Sequence, residues 1–324
     1  MKFATLKNGT PDGCLYLVSR DLTRAVAAQA VQTLQSALEN WTDVVRALTA
    51  QYDALNAGPV AGEIAFDPAQ AMAPLPRAWQ WLDGSAFDSH GDLMDTVFGI
   101  KKEKTGRPLM YQGVSDRFYG PTQDVLFRTE DDDIDFEGEF GVITDQVPMG
   151  ATKEQVRDHI RLVVQINDWS LRRIAPVEMK TGFGWVQAKP PCSVAPVAVT
   201  PDELGEAWRD ARVDLDLMVQ WNGAQFGAAN GYGMSVGFDD LVSHAAYSRN
   251  LVAGTIIGSG TVSNSNYREV GSSCIAERRG IEIVDQGAPK TAFMRFGDRV
   301  RMEARARDNS PVFGAIDQQV IKAR

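Results

Sequence analysis

Residues 133–140 read DIDFEGEF, and the alternation in this stretch decides how the rest of the chain is read. In a strand, side chains two positions apart share a face. Continued as FEGEFGVI, the segment predicts a strand with Glu137 and Glu139 side by side. Two like charges at that spacing repel unless a positive charge lies between them. A solvated, acid-rich edge fits the pattern as well as a ligand pair for a hard cation, so the stretch alone leaves both readings open.

Composition narrows the choice. The 324 residues can bury a large core, in one large domain or two, and 44% apolar with 23% charged residues is the balance of a soluble globular protein. A net charge of −9 argues against nucleic acid or an anionic membrane as main partner, though a local cationic site can still take a small anion. Cys14, Cys192 and Cys274 are dispersed and odd in number, which suits a reducing compartment. The start, MKFATLKNGTPDG, does not read as a signal peptide, and no apolar run approaches the ~20 residues of a membrane span. The expectation is a cytoplasmic protein.

Along the chain, KFATLK and CLYLV flank NG and DG turns and predict a hairpin. Residues 24–55, rich in Ala, Leu and Gln without Pro or Gly, predict one long or two short helices. Pro59, Pro68, Pro74 and Pro76 then interrupt regular structure, placing a domain boundary so that 1–78 form a small N-terminal domain and 79–324 a larger, β-dominated one. Thr152 to Gln155 is a capping box opening a helix that runs into the strand-like LVVQI. VDLDLMVQWNG, TIIGSGTV and GDRVRMEARA predict further strands, and 238–249 a second helix. The class is α+β.

Several chemistries are excluded. GxxxxGK is missing, the glycines of GAANGYG do not follow GxGxxG, and DDDIDFEGE lacks the sixth-position glycine of a calcium loop. Three histidines without ligand spacing make a zinc site a poor expectation, so a metal would be held by oxygen: Mg²⁺, Mn²⁺ or Ca²⁺. Asp168 ends an apolar strand and is the next candidate ligand, though an ordinary turn aspartate reads the same. Asp83 and His90 in WLDGSAFDSH form a further pair, while His159 and His244 are placed on helices without a role. Lys189, in QAKPP, reads by itself as a surface lysine.

Taken together, FEGEF followed by INDWSLR, then QAKP, GSGTVSN, GDRVRME and the DGSAFDSH segment resemble the fumarylacetoacetate hydrolase family, over roughly 75–324 and more loosely before that. The resemblance implies a fumarylacetoacetase-like mixed β-sandwich or roll, and a homodimer. It implies that Asp83, Glu137, Glu139 and Asp168 hold a divalent cation, Mg²⁺ or Ca²⁺, with Mn²⁺ as a further option. It further implies His90 as water-activating base oriented by Glu277, Arg172 and Lys189 as oxyanion-stabilising cations, and Tyr111 and Thr261 as substrate contacts. The implied reaction is metal-assisted hydrolysis of a carbon–carbon bond in a small anionic β-diketo acid, foremost fumarylacetoacetate. Acylpyruvate hydrolysis, oxaloacetate decarboxylation, hydroxydienedioate isomerisation or hydration, and a non-catalytic metal-stabilised binding protein are the alternatives. Ser85, Gly99 and Ala175 stand where fumarylacetoacetases have a tyrosine, an arginine and a glutamine, which puts the substrate in question more than the metal.

Overall fold

The computed structural model describes residues 1–98 and 106–324; Gly99 lies outside them. Its spine is the strand Ile160–Asn167, IRLVVQIN, whose apolar residues occupy both faces because both faces are covered. Leu162, Val164 and Ile166 face a core shared with Trp41, Leu48, Tyr52 and Leu55 of the helix Trp41–Ala57. Val163 faces the other core, shared with Met302 and Ala304. On that side Gln165 is buried and clamps the strand to a second sheet: its amide donates to the Met302 carbonyl at 2.9 Å and its oxygen accepts from the Ala304 N–H at 2.8 Å.

Among the described residues the main sheet has eleven strands. From one edge it runs Ile64–Ala65, Arg24–Ala27, Cys14–Val18, Lys2–Leu6, Ala198–Val199, Ile160–Asn167, Gly138–Thr144, Thr255–Gly258, Gln80–Gly84 and Met110–Gly113, with Ser193–Val194 also on Ile160–Asn167. A five-stranded sheet, ordered Ala224–Asn230, Asp216–Trp221, Arg299–Ala304, Ile316–Lys322 and Val125–Phe127, packs across it. The result is a strand-rich α+β fold in which a small N-terminal layer of hairpin and helices extends the main sheet of the larger C-terminal part.

The predicted hairpin forms, with Phe3 opposite Leu17 and Leu6 opposite Cys14. The helical reading of 24–55 needs correction at its start. Arg24–Ala27 is a strand paired with Cys14–Val18, and helices occupy only Leu34–Glu39 and Trp41–Ala57. Alanine-rich composition favours helix locally, but pairing to Cys14–Val18 on one side and Ile64–Ala65 on the other outweighs propensity. His159 also departs from expectation: the capping-box helix ends at Arg157, and His159 sits in the turn after it, its Nδ1 2.7 Å from Asp145. His244 lies on the helix Phe238–Ala245, in agreement with its sequence pattern.

Register decides where chemistry can sit. Asp83 pairs with Gly258 across a parallel ladder and with Tyr111 across an antiparallel one. Gly258 pairs with Gly141 on the next strand, and Gly138 there pairs with Asn167. Five strands therefore end together at one rim of the main sheet, carrying Asp83, Tyr111, Glu139 and Asp168 to the same place.

Candidate active site

Asp83, Glu139 and Asp168 are buried and offer carboxylate oxygens all within 4.8 Å of one another. Both oxygens of Glu139 are buried without a hydrogen-bond donor among the described residues. Burial pushes the Glu139 carboxyl well above the usual range, and Asp83, Asp168 and Glu137 push it the same way. Asp83 is raised likewise, by burial first and Asp168 next. Three converging buried acids, one of them lacking a donor, are a costly arrangement unless a cation joins them. An oxygen-only donor set of this kind fits a hard divalent ion, and Asp83, Glu139 and Asp168 are the residues that would hold it.

Glu137 belongs to the cluster by a different route. Its carboxylate accepts from Lys189 Nζ at 2.7 Å and from the Ser170 hydroxyl at 3.0 Å, and one guanidinium nitrogen of Arg172 lies 2.5 Å away. Burial would raise this acid, but Arg172 and Lys189 outweigh it and hold Glu137 down at about 2. Lys189 also donates to Asp168 at 2.6 Å, so one ammonium ties the anionic pair together. Burial disfavours its charge; Asp168 and Glu137 more than compensate and raise Lys189 above its ordinary value. The lysine that reads as a surface residue by itself is thus enclosed between two acids, its side chain 10% exposed.

The turn that sets these positions is local. The Glu137 N–H donates to the Asn167 side chain at 2.9 Å, and the Asp168 N–H donates to the Glu137 carbonyl at 2.9 Å. Two side chains then bind Asp168 directly: the Tyr111 hydroxyl donates to Oδ2 at 2.5 Å and the Cys192 thiol to Oδ1 at 2.9 Å. Asp83 is steadied by the Gly260 N–H at 3.1 Å. Thr261 is buried one residue beyond that glycine.

Beside this cluster stands a second one. His90, on the helix Asp88–Phe98, has its Nδ1 3.5 Å from Glu277 Oε2, on the helix Ile275–Gln286. The other Glu277 oxygen accepts from the Ser263 hydroxyl at 2.6 Å, which in turn accepts from Ser89, next to His90, at 2.9 Å. The two clusters adjoin through the chain itself, since Glu137 forms a β-bridge with Cys274, three residues before Glu277.

Arg172 reaches the site through its anchors, Asp135 at 2.8 Å and Glu137. Asp135 also accepts the first two N–H groups of the Glu277 helix, Ile275 at 2.7 Å and Ala276 at 2.9 Å. Binding a carboxylate at a helix N-terminus is favourable both for the orphan donors and for the helix dipole. Sequence reasoning misses Asp135, Cys192, Ser263 and Cys274. Asp135 does carry a signal: it precedes Glu137 by two, on the same strand parity that points to Glu139. The thiols and the serine carry no spacing that marks them. Of the positions at which the resemblance leads one to expect other residues, Ser85 is exposed just after the Asp83 strand and Ala175 opens the helix Ala175–Thr181.

Gly258 is required by close approach. A Cβ there would meet Asp83 Oδ1 and the Trp81 ring, each at 2.4 Å. Gly258→Ala is expected to lose about 1–3 kcal/mol of stability and to weaken divalent-ion binding by displacing Asp83. Thermal unfolding with and without Mn²⁺ checks both, and an unaltered response would show that Asp83 has room to move.

A buried carboxylate cluster on the rim of a β-sandwich, with a His–Glu pair at its side, defines a class before it defines a reaction. The chain belongs to the fumarylacetoacetate hydrolase family: residues 80–321 match the fumarylacetoacetate hydrolase C-terminal model and residues 1–77 the fumarylacetoacetase N-terminal domain 2 model. It is similar to the 2,4-didehydro-3-deoxy-L-rhamnonate hydrolase of Sphingomonas sp. (strain SKA58), 26% identical over 157 residues. That match covers 48% of this chain and 52% of the relative, so it spans about half the relative's length. In fold it resembles the maleylpyruvate hydrolase of Sphingobium sp. SYK-6, solved with manganese(II) and pyruvate, at 16% identity and a TM-score of 0.67 over 100% of both chains. It also resembles the 5-carboxymethyl-2-hydroxymuconate delta-isomerase of Mycobacterium smegmatis, at 15% identity and 0.63, again over 100% of both.

Proposed function

We propose that this chain is a divalent-metal-dependent hydrolase that cleaves a carbon–carbon bond in a small anionic β-diketo acid. The observation that carries the reading is the adjacency of two systems that do different work: buried acids fit for a cation, and a His–Glu pair fit to activate water. A metal-stabilised scaffold needs the first and has no use for the second. Similar folds also include an isomerase, and an isomerisation needs a proton shuttle more than an activated water.

In this proposal Asp83, Glu139 and Asp168 would hold Mg²⁺, Mn²⁺ or Ca²⁺, with Glu137, expected as a fourth ligand, kept beside them by Arg172 and Lys189; the ion when bound supplies Lewis-acid polarisation of the diketone oxygens. His90 takes a proton from water at Nε2 while Glu277, whose Oε2 faces Nδ1 at 3.5 Å, offsets its gained charge. Hydroxide adds to one carbonyl, and Lys189 and Arg172 contribute the positive field that favours the oxyanion. Collapse expels the methylene carbon as an enolate, which regains a proton. Tyr111, fixed on Asp168, and Thr261 border the place the substrate occupies.

The substrate class is tested by following diketone absorbance after stripping the protein of metal and resupplying Mg²⁺, Ca²⁺ or Mn²⁺, with fumarylacetoacetate and an acylpyruvate offered in parallel. Metal-dependent loss of the band with release of two acids is the expected result. Carbon dioxide or an isomer in their place would assign decarboxylation or tautomerisation instead. Stoichiometric metal binding without turnover of either diketone would overturn the hydrolase reading. Preference for the acylpyruvate would fit Ser85 and Ala175, which replace a tyrosine and a glutamine of fumarylacetoacetases.

A further inference from the structure

We propose that His90, Cys274 and Glu277 form a second metal site of softer character, one that takes Zn²⁺ and thereby occupies the His–Glu pair. One ligand atom from each of the three lies within 4.8 Å of the others. Glu277 and Cys274 are fully buried, and Glu277 Oε2 has no hydrogen-bond donor among the described residues, although its other oxygen is held by Ser263. His90 Nδ1 is likewise buried without a hydrogen-bond partner among them. Two such atoms thus face each other at 3.5 Å, with a sulfur beside them.

The spacing suits a shared ion. Two nitrogen or oxygen ligands at ~2.0–2.1 Å from a tetrahedral zinc lie ~3.3 Å apart, close to the separation of His90 from Glu277. Charge also closes: a thiolate and a carboxylate neutralise Zn²⁺, with histidine neutral and a water in the fourth position. Binding forms the zinc–sulfur bond and releases the thiol proton to solvent, with no change of oxidation state.

Cys274 does have a structural task, since its sulfur accepts the Glu277 N–H at 3.3 Å as the helix N-cap. Serine performs that task better than cysteine, so capping does not require the sulfur. The neighbouring carboxylate cluster offers a different chemistry: oxygen donors suit Mg²⁺, Ca²⁺ and Mn²⁺, whereas thiolate and imidazole select zinc. Two adjacent sites of unlike softness would let one ion support activity and another silence it. The metal site itself stands without the proposed reaction; the silencing rests on the assigned role of His90 and Glu277.

Co²⁺ serves as the spectroscopic probe for zinc, added to the full-length protein already saturated with Mg²⁺. A thiolate-to-cobalt charge-transfer band is expected in the wild type, displaced by Zn²⁺, abolished in Cys274→Ser and retained in Cys192→Ser. Absence of the band, or its loss in Cys192→Ser with persistence in Cys274→Ser, overturns the site. In the diketone assay Zn²⁺ is expected to inhibit the wild type, while Cys274→Ser needs about tenfold or more Zn²⁺ to halve its own Mg²⁺-supported rate. A cobalt–thiolate band without zinc inhibition would leave the site standing and remove His90 from the role of base.

Discussion

Glu139→Gln is expected to abolish the stabilisation that divalent ions confer while leaving the ion-free protein as stable as the wild type, or more so. Both oxygens of Glu139 are buried without a donor among the described residues, and burial together with Asp83, Asp168 and Glu137 favours the protonated acid. Glutamine resembles that uncharged form, so in the presence of a chelator nothing is lost and part of the mutual repulsion disappears. With an ion the comparison reverses. Ion at ~100 times its dissociation constant stabilises the folded state by about 2.7 kcal/mol, a shift of several degrees in Tm. Without the charge of Glu139 that shift should nearly vanish, and turnover should fall with it, by about 10²-fold or more. Differential scanning calorimetry in chelator and in Mn²⁺ reads both halves. A full ion-induced shift in the variant would remove Glu139 from the ligand set; a large drop in chelator would make it a structural acid.

Residues 133–140 show why part of this site is legible in the sequence. Alternation is a property of the backbone, so the spacing of Glu137 and Glu139 predicts them on one face of a strand, although the strand itself begins at Gly138 and Glu137 precedes it in a bridge to Cys274. Alternation does not tell that the two acids have unlike surroundings. Glu139 points to Asp83 and Asp168, whereas Glu137 is claimed by Arg172, Lys189 and Ser170. Those partners come from a turn and from a segment after it, and the pairing of Gly138 with Asn167 brings them into reach. The fold is legible in the same graded way. Strands and the hairpin carry their own period and turn residues, while Arg24–Ala27 owes its conformation to the neighbour it pairs with. Lys189 is the clearest case: no local pattern distinguishes a lysine in a loop from one enclosed by two carboxylates. Cys192 and Cys274 are silent in sequence because a buried thiol has no periodicity, and their partners, Asp168 and Glu277, lie on other segments or one helical turn away.

His90→Ala is the complementary experiment, with its effect confined to the rate. The imidazole faces Glu277 and is not one of the Asp83, Glu139 and Asp168 cluster, so ion-induced stabilisation should match the wild type. Loss of a positioned base lowers kcat by about 10²–10⁴-fold. KM should move little, since His90 faces Glu277 and not the carboxylates that would hold the ion. Glu277→Gln separates base from positioner. The Ser263 hydroxyl can still bond to the amide, the helix keeps its cap from Cys274, and the imidazole loses only the carboxylate charge that faces it. Its rate should therefore lie between those of the wild type and His90→Ala. If His90→Ala turns over diketone at the wild-type rate, water is not activated there, and the pair is better read as part of a metal site alone. If instead hydrolysis stops but enolisation of the substrate continues at the metal, the two clusters divide the reaction as their chemistry suggests: the acids govern the enolate, the histidine governs water.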